Sequence, residues 1–227
     1  DILRAADDRG IKPKRWSIEQ VNKVSGNPRQ DQGVALDIIH PKRFVDEWLQ
    51  QLKGEVPLRP ILLLDNVRNA QNIGMILRTA TASGAEAVIL PRKGSPGISP
   101  LVIKASAGIA LRAKVLHCED AIQAATALKA HGMRLYGLSG SKEAEDLFSN
   151  EKLFSTDDKP KQRPEPFGVW VVGNESEGIS PEVGSIIDRW VKIPMEGDVE
   201  SLNVANAAGI VLFELMRRRL SGKLKLE

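Results

Sequence analysis

The chain has 227 residues, 42% hydrophobic and 27% charged, which suits one large domain or a domain with a smaller module. That balance excludes a disordered or low-complexity chain, and no apolar run of about eighteen residues is present to cross a membrane. A net charge of +3 is compatible with a nucleic-acid partner without requiring one, and the one cysteine, Cys118, excludes an internal disulfide and fits a reducing compartment such as the cytoplasm.

Residues 1–40 read as a small α/β piece. A helix is expected over Ile2 to Arg9, extended chain over Lys14 to Trp16, a helix to Val24 behind a Ser17 N-cap, and a strand over Gly33 to Ile38. The piece is too small for a core of its own and begins in mid-pattern. Residues 41–58 carry Pro41, Pro57 and many charges, and read as a linker with some helical content. From residue 59 to 227 short apolar strands alternate with helical segments. Strands are expected at Ile61 to Asp65, Ala87 to Leu90, Ala113 to His117, Met133 to Leu138, Gly168 to Val172 and Trp190 to Ile193. Helices are expected at Ile73 to Ser83, Pro100 to Ala107, Asp120 to His131, Pro181 to Ile187 and Asn203 to Leu220. This alternation predicts an α/β fold with a mainly parallel sheet covered by helices on both faces. The proline-rich stretch from Ser155 to Pro166 reads as a surface excursion.

Ligands of such sheets bind where strands end and lead into helices, and three of these loops are unusual. The first runs from Asp65 to Ala80 and crowds Asn66, Asn69 and Asn72 with Arg68 and Arg78. Asparagines cap helices and tolerate turns, so part of this is ordinary turn chemistry. Arg78 stands out among the apolar residues of a helix and asks for an anionic or acceptor partner. The second loop, Gly173 to Pro181, is bounded by Gly173 and Gly178 and carries Glu175 and Glu177. It lacks the spacings of nucleotide-phosphate loops, and its carboxylates would repel a pyrophosphate. The third, Pro194 to Gly209, carries Glu196, Asp198 and Glu200, then Ser201 as the expected cap of the last helix. The small residues from Ala205 to Gly209 imply close internal packing or a subunit interface. Two carboxylate-rich loops favour a cationic, phosphate-free cofactor, a description that S-adenosylmethionine meets through its sulfonium.

At these residues the chain resembles the SpoU/TrmH branch of the SPOUT RNA methyltransferases. The first signature motif is matched by Asn66, Asn69, Asn72, Gly74, Arg78, Thr79 and Ala80. The second is matched by Gly173, Glu175, Gly178 and Ile179; the third by Ile193, Pro194, Met195, Gly197 and the run from Ser201 to Ala205. Ala70 stands where the family usually has proline, which should soften the turn without removing chemistry. The resemblance covers roughly residues 59 to 220. Residues 1–40, especially Asp31 to Ala35, resemble the tail of the family's ribosomal-protein-like RNA-binding domain, whose front half is not seen here.

The resemblance implies a C-terminal trefoil knot, a homodimer, and methylation of a ribose 2′-hydroxyl in RNA by S-adenosylmethionine, with rRNA favoured over tRNA. It implies catalytic roles for Arg78, Asn72, Glu175, Ser201 and Asn203, and cofactor contacts from Gly173, Asn174, Glu175, Ile193, Pro194, Met195, Leu202 and Asn203. Two roles stay open for Arg78: a perturbed base, or a clamp on the phosphate that orients the hydroxyl. The alternatives are a sister SPOUT enzyme acting on tRNA or on a base, and a non-catalytic RNA-binding module that kept the fold. His40, His117 and His131 are scattered, so no metal is expected, and Cys118 beside Glu119 and Asp120 is not expected to be a nucleophile.

Overall fold

The computed structural model describes residues 2–25, 33–149, 167–197 and 199–221, and the chain divides into two compact units, Asp1–Pro41 and Lys42–Glu227. The first unit has two short helices, α1 (Ile2–Asp7) and α2 (Ile18–Ser25). Ser17 caps α2 reciprocally with Gln20: its hydroxyl accepts from the Gln20 amide at 3.3 Å, and its own amide donates to Gln20 Oε1 at 2.9 Å. The strand expected over Gly33 to Ile38 does not form. An isolated alternating segment has no ladder to join, and among the described residues this unit contains no other strand. Val34, Leu36 and Ile38 are accordingly exposed. Asp31 and Gln32, part of the resemblance noted above, lie outside the described residues, as does the excursion from Ser155 to Pro166.

The second unit begins ahead of the alternating pattern. Helix α3 (Val45–Gln51) falls within the stretch read as a linker, and it packs on the sheet through buried Val45 with Trp48 and Leu49 beside it. The main alternation follows as β1 (Ile61–Leu64), α4 (Ala70–Ser83), β2 (Ala87–Pro91), α5 (Pro100–Ala105), β3 (Val115–Cys118), α6 (Ala121–Ala130) and β4 (Leu135–Leu138). Then come β5 (Glu145–Asp146), β6 (Val169–Val172), α7 (Pro181–Gly184), β7 (Arg189–Lys192) and α8 (Val204–Leu220). All six predicted strands are present. β5 was not expected, because two acidic residues carry no apolar signal.

The sheet order is β3-β2-β1-β6-β4-β7-β5, and every neighbouring pair is parallel. Parallel strands are buried on both faces, which is why β1 reads as an unbroken Ile-Leu-Leu-Leu. Leu62, Leu64, Val88, Leu90, Trp170 and Val172 face one core together with α4, α5 and α8; Ile61, Leu63, Ile89, Val169 and Val171 face the other with α3, α6 and α7. Trp170 is fully buried, stacks on Tyr136 at 4.8 Å and donates its indole N–H to the Phe167 carbonyl at 2.6 Å. Such a pair contributes about 1 kcal/mol beyond the area that it buries.

Three helices close this core at short range. A Cβ on Gly74 of α4 would come within 2.7 Å of the Val102 carbonyl of α5, so only glycine permits that approach. On the other side, the small residues Ala205 and Ala208 of α8 are buried against α4, and Gly209 meets Thr79. Internal packing thus accounts for Ala205, Ala208 and Gly209 of this run, while Asn206 is exposed. Near the end of α8, Glu214 and Arg218 are 8% and 7% exposed and paired at 2.6 Å, with Arg217 adding a second pairing to Glu214 at 2.7 Å. Arg218 also donates to the Leu147 carbonyl at 2.8 Å, tying α8 to the chain just beyond β5.

Two outcomes test this packing. Gly74→Ala should lower unfolding free energy by about 2 kcal/mol in a urea titration despite the better helix propensity of alanine, whereas Gly209→Ala, whose Cβ has ordinary room at 3.4 Å, should be neutral or stabilising. The Glu214 carboxyl is held below its ordinary value, chiefly by the hydrogen bonds from Arg217, against its own burial and with help from Arg218. A lowered carboxyl stabilises above the unfolded-state value and loses that contribution as pH falls through the folded one. The wild type should therefore exceed Glu214→Gln in stability at pH 7 by about 3 kcal/mol, and the gap should close below about pH 4; a constant gap would refute the pairing.

Candidate functional site

The carboxyl ends of β1, β6, β4 and β7 lie side by side, so the loops that follow them converge. The three asparagines of the first loop do three different jobs. Asn66 takes the left-handed backbone conformation, φ 56°, that turns the chain after β1. Asn69 is the N-cap of α4, accepting from the amides of Gln71 at 2.8 Å and Asn72 at 3.4 Å. Asn72, only 4% exposed, points its amide at the other two loops: it donates to Glu175 Oε1 and accepts from Asn203 Nδ2 at 3.0 Å. One buried side chain thereby links a residue from each motif.

Further bonds fix the second loop. Asn174 exchanges backbone hydrogen bonds with Gly178 at 2.9 and 2.8 Å, and its side chain accepts from the amides of Ser176 and Glu177 while donating to the Asn66 carbonyl at 3.2 Å. A Cβ on Gly173 would collide with the Gly178 backbone, which makes glycine obligatory there. Asp65, 2% exposed, accepts from the Ser180 amide at 2.7 Å and latches this loop to the end of β1.

In the third loop the sequence expectation needs correction: the N-cap of α8 is Asn203, not Ser201. Asn203 Oδ1 accepts from the amides of Ala205 at 2.9 Å and Asn206 at 3.4 Å, which leaves its Nδ2 for Asn72. Ser201 lies two residues before the cap and is released to line a cavity. Asp198 lies outside the described residues.

That cavity, about 370 Å³, sits between the loops. Of the expected site residues it is lined by Gly173, Asn174, Glu175, Ile193, Met195, Ser201 and Leu202. Pro194, Asn72 and Asn203 stand outside it, the last two bonded behind Glu175. Arg78 is not brought to the cavity either; it is exposed on α4, with no hydrogen bond or ion pair among the described residues. The partner expected from its setting in the sequence is not found among the described residues, because Arg78 lies on the exposed face of α4 while Ile76, Leu77 and Ala80 face the core.

Sequence reasoning missed a fourth wall, Leu138 to Gly140 at the end of β4, together with Trp190 of β7. The available signal was positional: a glycine-bearing loop at the carboxyl end of another strand. Among the described lining residues are three carboxylates, Glu175, Glu177 and Glu200, and no lysine or arginine. The remainder of the wall, including Leu138, Ile179, Ile193 and Leu202, is largely apolar. The cavity therefore fits a ligand with an apolar body, a positive centre and no phosphate, within the ordinary size range of small-molecule sites.

Elsewhere, Arg92 pairs with Glu119 and Lys93 with Asp120 at 3.3 Å, so these two cations are already engaged. Burial, reinforced by Asp120, Asp46 and Glu119, pushes the Cys118 thiol up to about 12, which rules out an activated nucleophile. Among the described residues no three His, Cys, Asp or Glu side chains are grouped to hold a metal ion.

Comparison with known proteins bears on this geometry. The model of the SpoU rRNA Methylase family matches residues 59–213. A 23S rRNA (guanosine-2′-O-)-methyltransferase, RlmB, of Xanthomonas campestris pv. campestris is 34% identical over 221 residues, 97% of this chain and 83% of that protein. The solved SpoU methyltransferase AviRb from Streptomyces viridochromogenes, in complex with AdoMet, is 25% identical with a TM-score of 0.61, covering 80% of this chain and 67% of that one. A solved RNA 2′-O ribose methyltransferase is 29% identical with a TM-score of 0.59; the match covers 73% of this chain but 58% of that one.

The bridge through Asn72 is open to test. Asn72→Asp sets a second carboxylate against Glu175, and should cost about 1–3 kcal/mol at pH 7. Two close carboxylates share a proton more readily in acid, so the loss should shrink as pH falls toward 4. A pH-independent loss in thermal melts would remove Glu175 as the partner.

Proposed function

The chain belongs to the SpoU rRNA methylase family, and from that premise we propose that it transfers a methyl group from S-adenosylmethionine to a ribose 2′-hydroxyl of RNA, ribosomal RNA being the substrate class. The observation that carries the reading is the cavity itself: three carboxylates, no cation and an apolar wall at the junction of the three motif loops. When bound there, S-adenosylmethionine supplies a methyl group on a sulfonium, an electrophile that needs little further activation. Gly173, Ile193, Met195 and Leu202 would hold its body, and Glu175, Glu177 and Glu200 its charge. The protein's remaining task is to align the hydroxyl and relieve it of its proton.

Arg78 is read as the phosphate clamp. A guanidinium is a donor only and remains protonated in proteins, and this one is exposed with no carboxylate engaging it. Asn72 and Asn203 position Glu175, whose carboxylate is the acceptor-only group that the network fixes at the cavity. Ser201 contributes a hydroxyl to the same wall.

The proposal includes a homodimer. Its support is the outer face of the α4–α8 pair, where Met75 and Phe213 are exposed and where Arg78, remote from its own cavity, is available to the site of a second copy. It also includes the trefoil knot, supported by the close passage of the chain after β7 against that after β4: a Cβ on Gly140 would lie 3.0 Å from the Glu200 carbonyl. Residues 1–40 are proposed as part of an RNA-binding module, supported by the exposed Lys12, Lys14 and Arg15. The proposal also includes a cytoplasmic location, supported by the rRNA substrate class. No helix among the described residues is long and apolar enough to cross a membrane.

The test is transfer of labelled methyl from S-adenosylmethionine to rRNA and tRNA pools. Label resistant to alkaline cleavage is expected in rRNA, and Arg78→Ala should lower transfer by about 100-fold or more while leaving cofactor affinity unchanged, since Arg78 does not line the cavity. Label in tRNA alone would reassign the substrate. Absence of both transfer and cofactor binding would sink the enzyme reading and leave the RNA-binding module.

A further inference from the structure

The wall missed by sequence reasoning has its own mooring. The segment from residue 139 to 144, between β4 and β5, supplies Ser139 and Gly140 to the cavity. Most of its hydrogen bonds are internal turns. The Ser141 amide donates to Ser139 Oγ at 3.1 Å, the Glu143 amide to Ser141 Oγ at 3.3 Å, and the Ala144 amide to the Ser141 carbonyl at 3.2 Å. Such bonds shape a loop without fixing its place. At its start the segment is held by the Ser139 amide, which donates to the Val191 carbonyl at 3.0 Å. Past its end, the Leu147 amide donates to the Lys192 carbonyl at 3.0 Å. Between these ends one side chain reaches across: Lys192 Nζ donates to the Lys142 carbonyl at 2.6 Å.

Lys192 is the last residue of β7 and immediately precedes Ile193, which also lines the cavity. Its ammonium therefore couples two walls of the same cavity without belonging to either lining. A charge-assisted bond of this kind is among the stronger single links available to an exposed loop. We propose that Lys192 is a positioning residue for the cofactor: by holding the Lys142 carbonyl it fixes the 139–144 segment against β7 and so sets the affinity for S-adenosylmethionine, without touching it. This rests on the cofactor reading given above.

The measurements are S-adenosylmethionine affinity by calorimetry, methyl-transfer kinetics and thermal melts on the full chain. Wild type must bind S-adenosylmethionine; if it does not, the cofactor reading itself fails, whatever Lys192 does. Given that binding, Lys192→Met should raise Kd and KM for S-adenosylmethionine about fivefold or more, with kcat at saturation and the melting temperature close to wild type. Lys192→Arg keeps a cationic donor and should restore both constants. An unchanged Kd in a folded Lys192→Met protein overturns the proposal, as does failure of the arginine variant to rescue. A methionine variant that no longer folds overturns it too, since Lys192 would then be a stability element.

Discussion

The site depends on one buried carboxamide. Asn72 sits on the first turns of α4 with both ends of its side chain committed, one to Glu175 and the other to Asn203. A buried amide left half-satisfied is costly, so the three loops are not independent: a shift in any of them breaks a bond of Asn72. The two flanking residues are themselves committed, Glu175 to the cavity and Asn203 to the cap of α8. Asn203 thus serves the helix cap through its Oδ1 and the bridge through its Nδ2.

The bridge requires α4 and α8 to lie side by side and β1 and β6 to be neighbours. The parallel sheet supplies the second condition, with Leu64 opposite Val172 at the strand ends. Small residues supply the first, since Ala205, Ala208 and Gly209 let α8 approach α4, and Gly74 lets α4 approach α5. Close backbone packing under the site holds its asparagines to within hydrogen-bonding distance. The Glu214–Arg218 pair closes the far end of α8 onto the chain beyond β5, away from the chemistry.

Electrostatics then separate the roles. Carboxylates gather in the cavity, while Arg78 stands outside it and the surface cations Arg92 and Lys93 are paired with Glu119 and Asp120. A cavity of this sign favours a sulfonium and disfavours phosphate.

By itself the sequence determined the parallel α/β architecture, because unbroken apolar strands between helical segments have few other solutions. It also singled out the three loops that converge on the cavity, because glycines, asparagines and carboxylates at strand ends are poorly explained by packing alone. Short range limited it elsewhere. Residues 33–38 alternate like a strand but form no strand among the described residues; β5 has a strand beside it but no apolar pattern; α3 looks like linker until the sheet beneath Val45 is seen. The choice of Asn203 over Ser201 as cap turned on where α8 begins, and the outward turn of Arg78 on which face of α4 meets the core. Only the tertiary structure decided that Asn72 joins Glu175 to Asn203, that Leu138 to Gly140 form a wall, and that Lys192 reaches Lys142. These are contacts between residues 50 to 131 positions apart, and the local chemistry of a sequence carries no term for such distances.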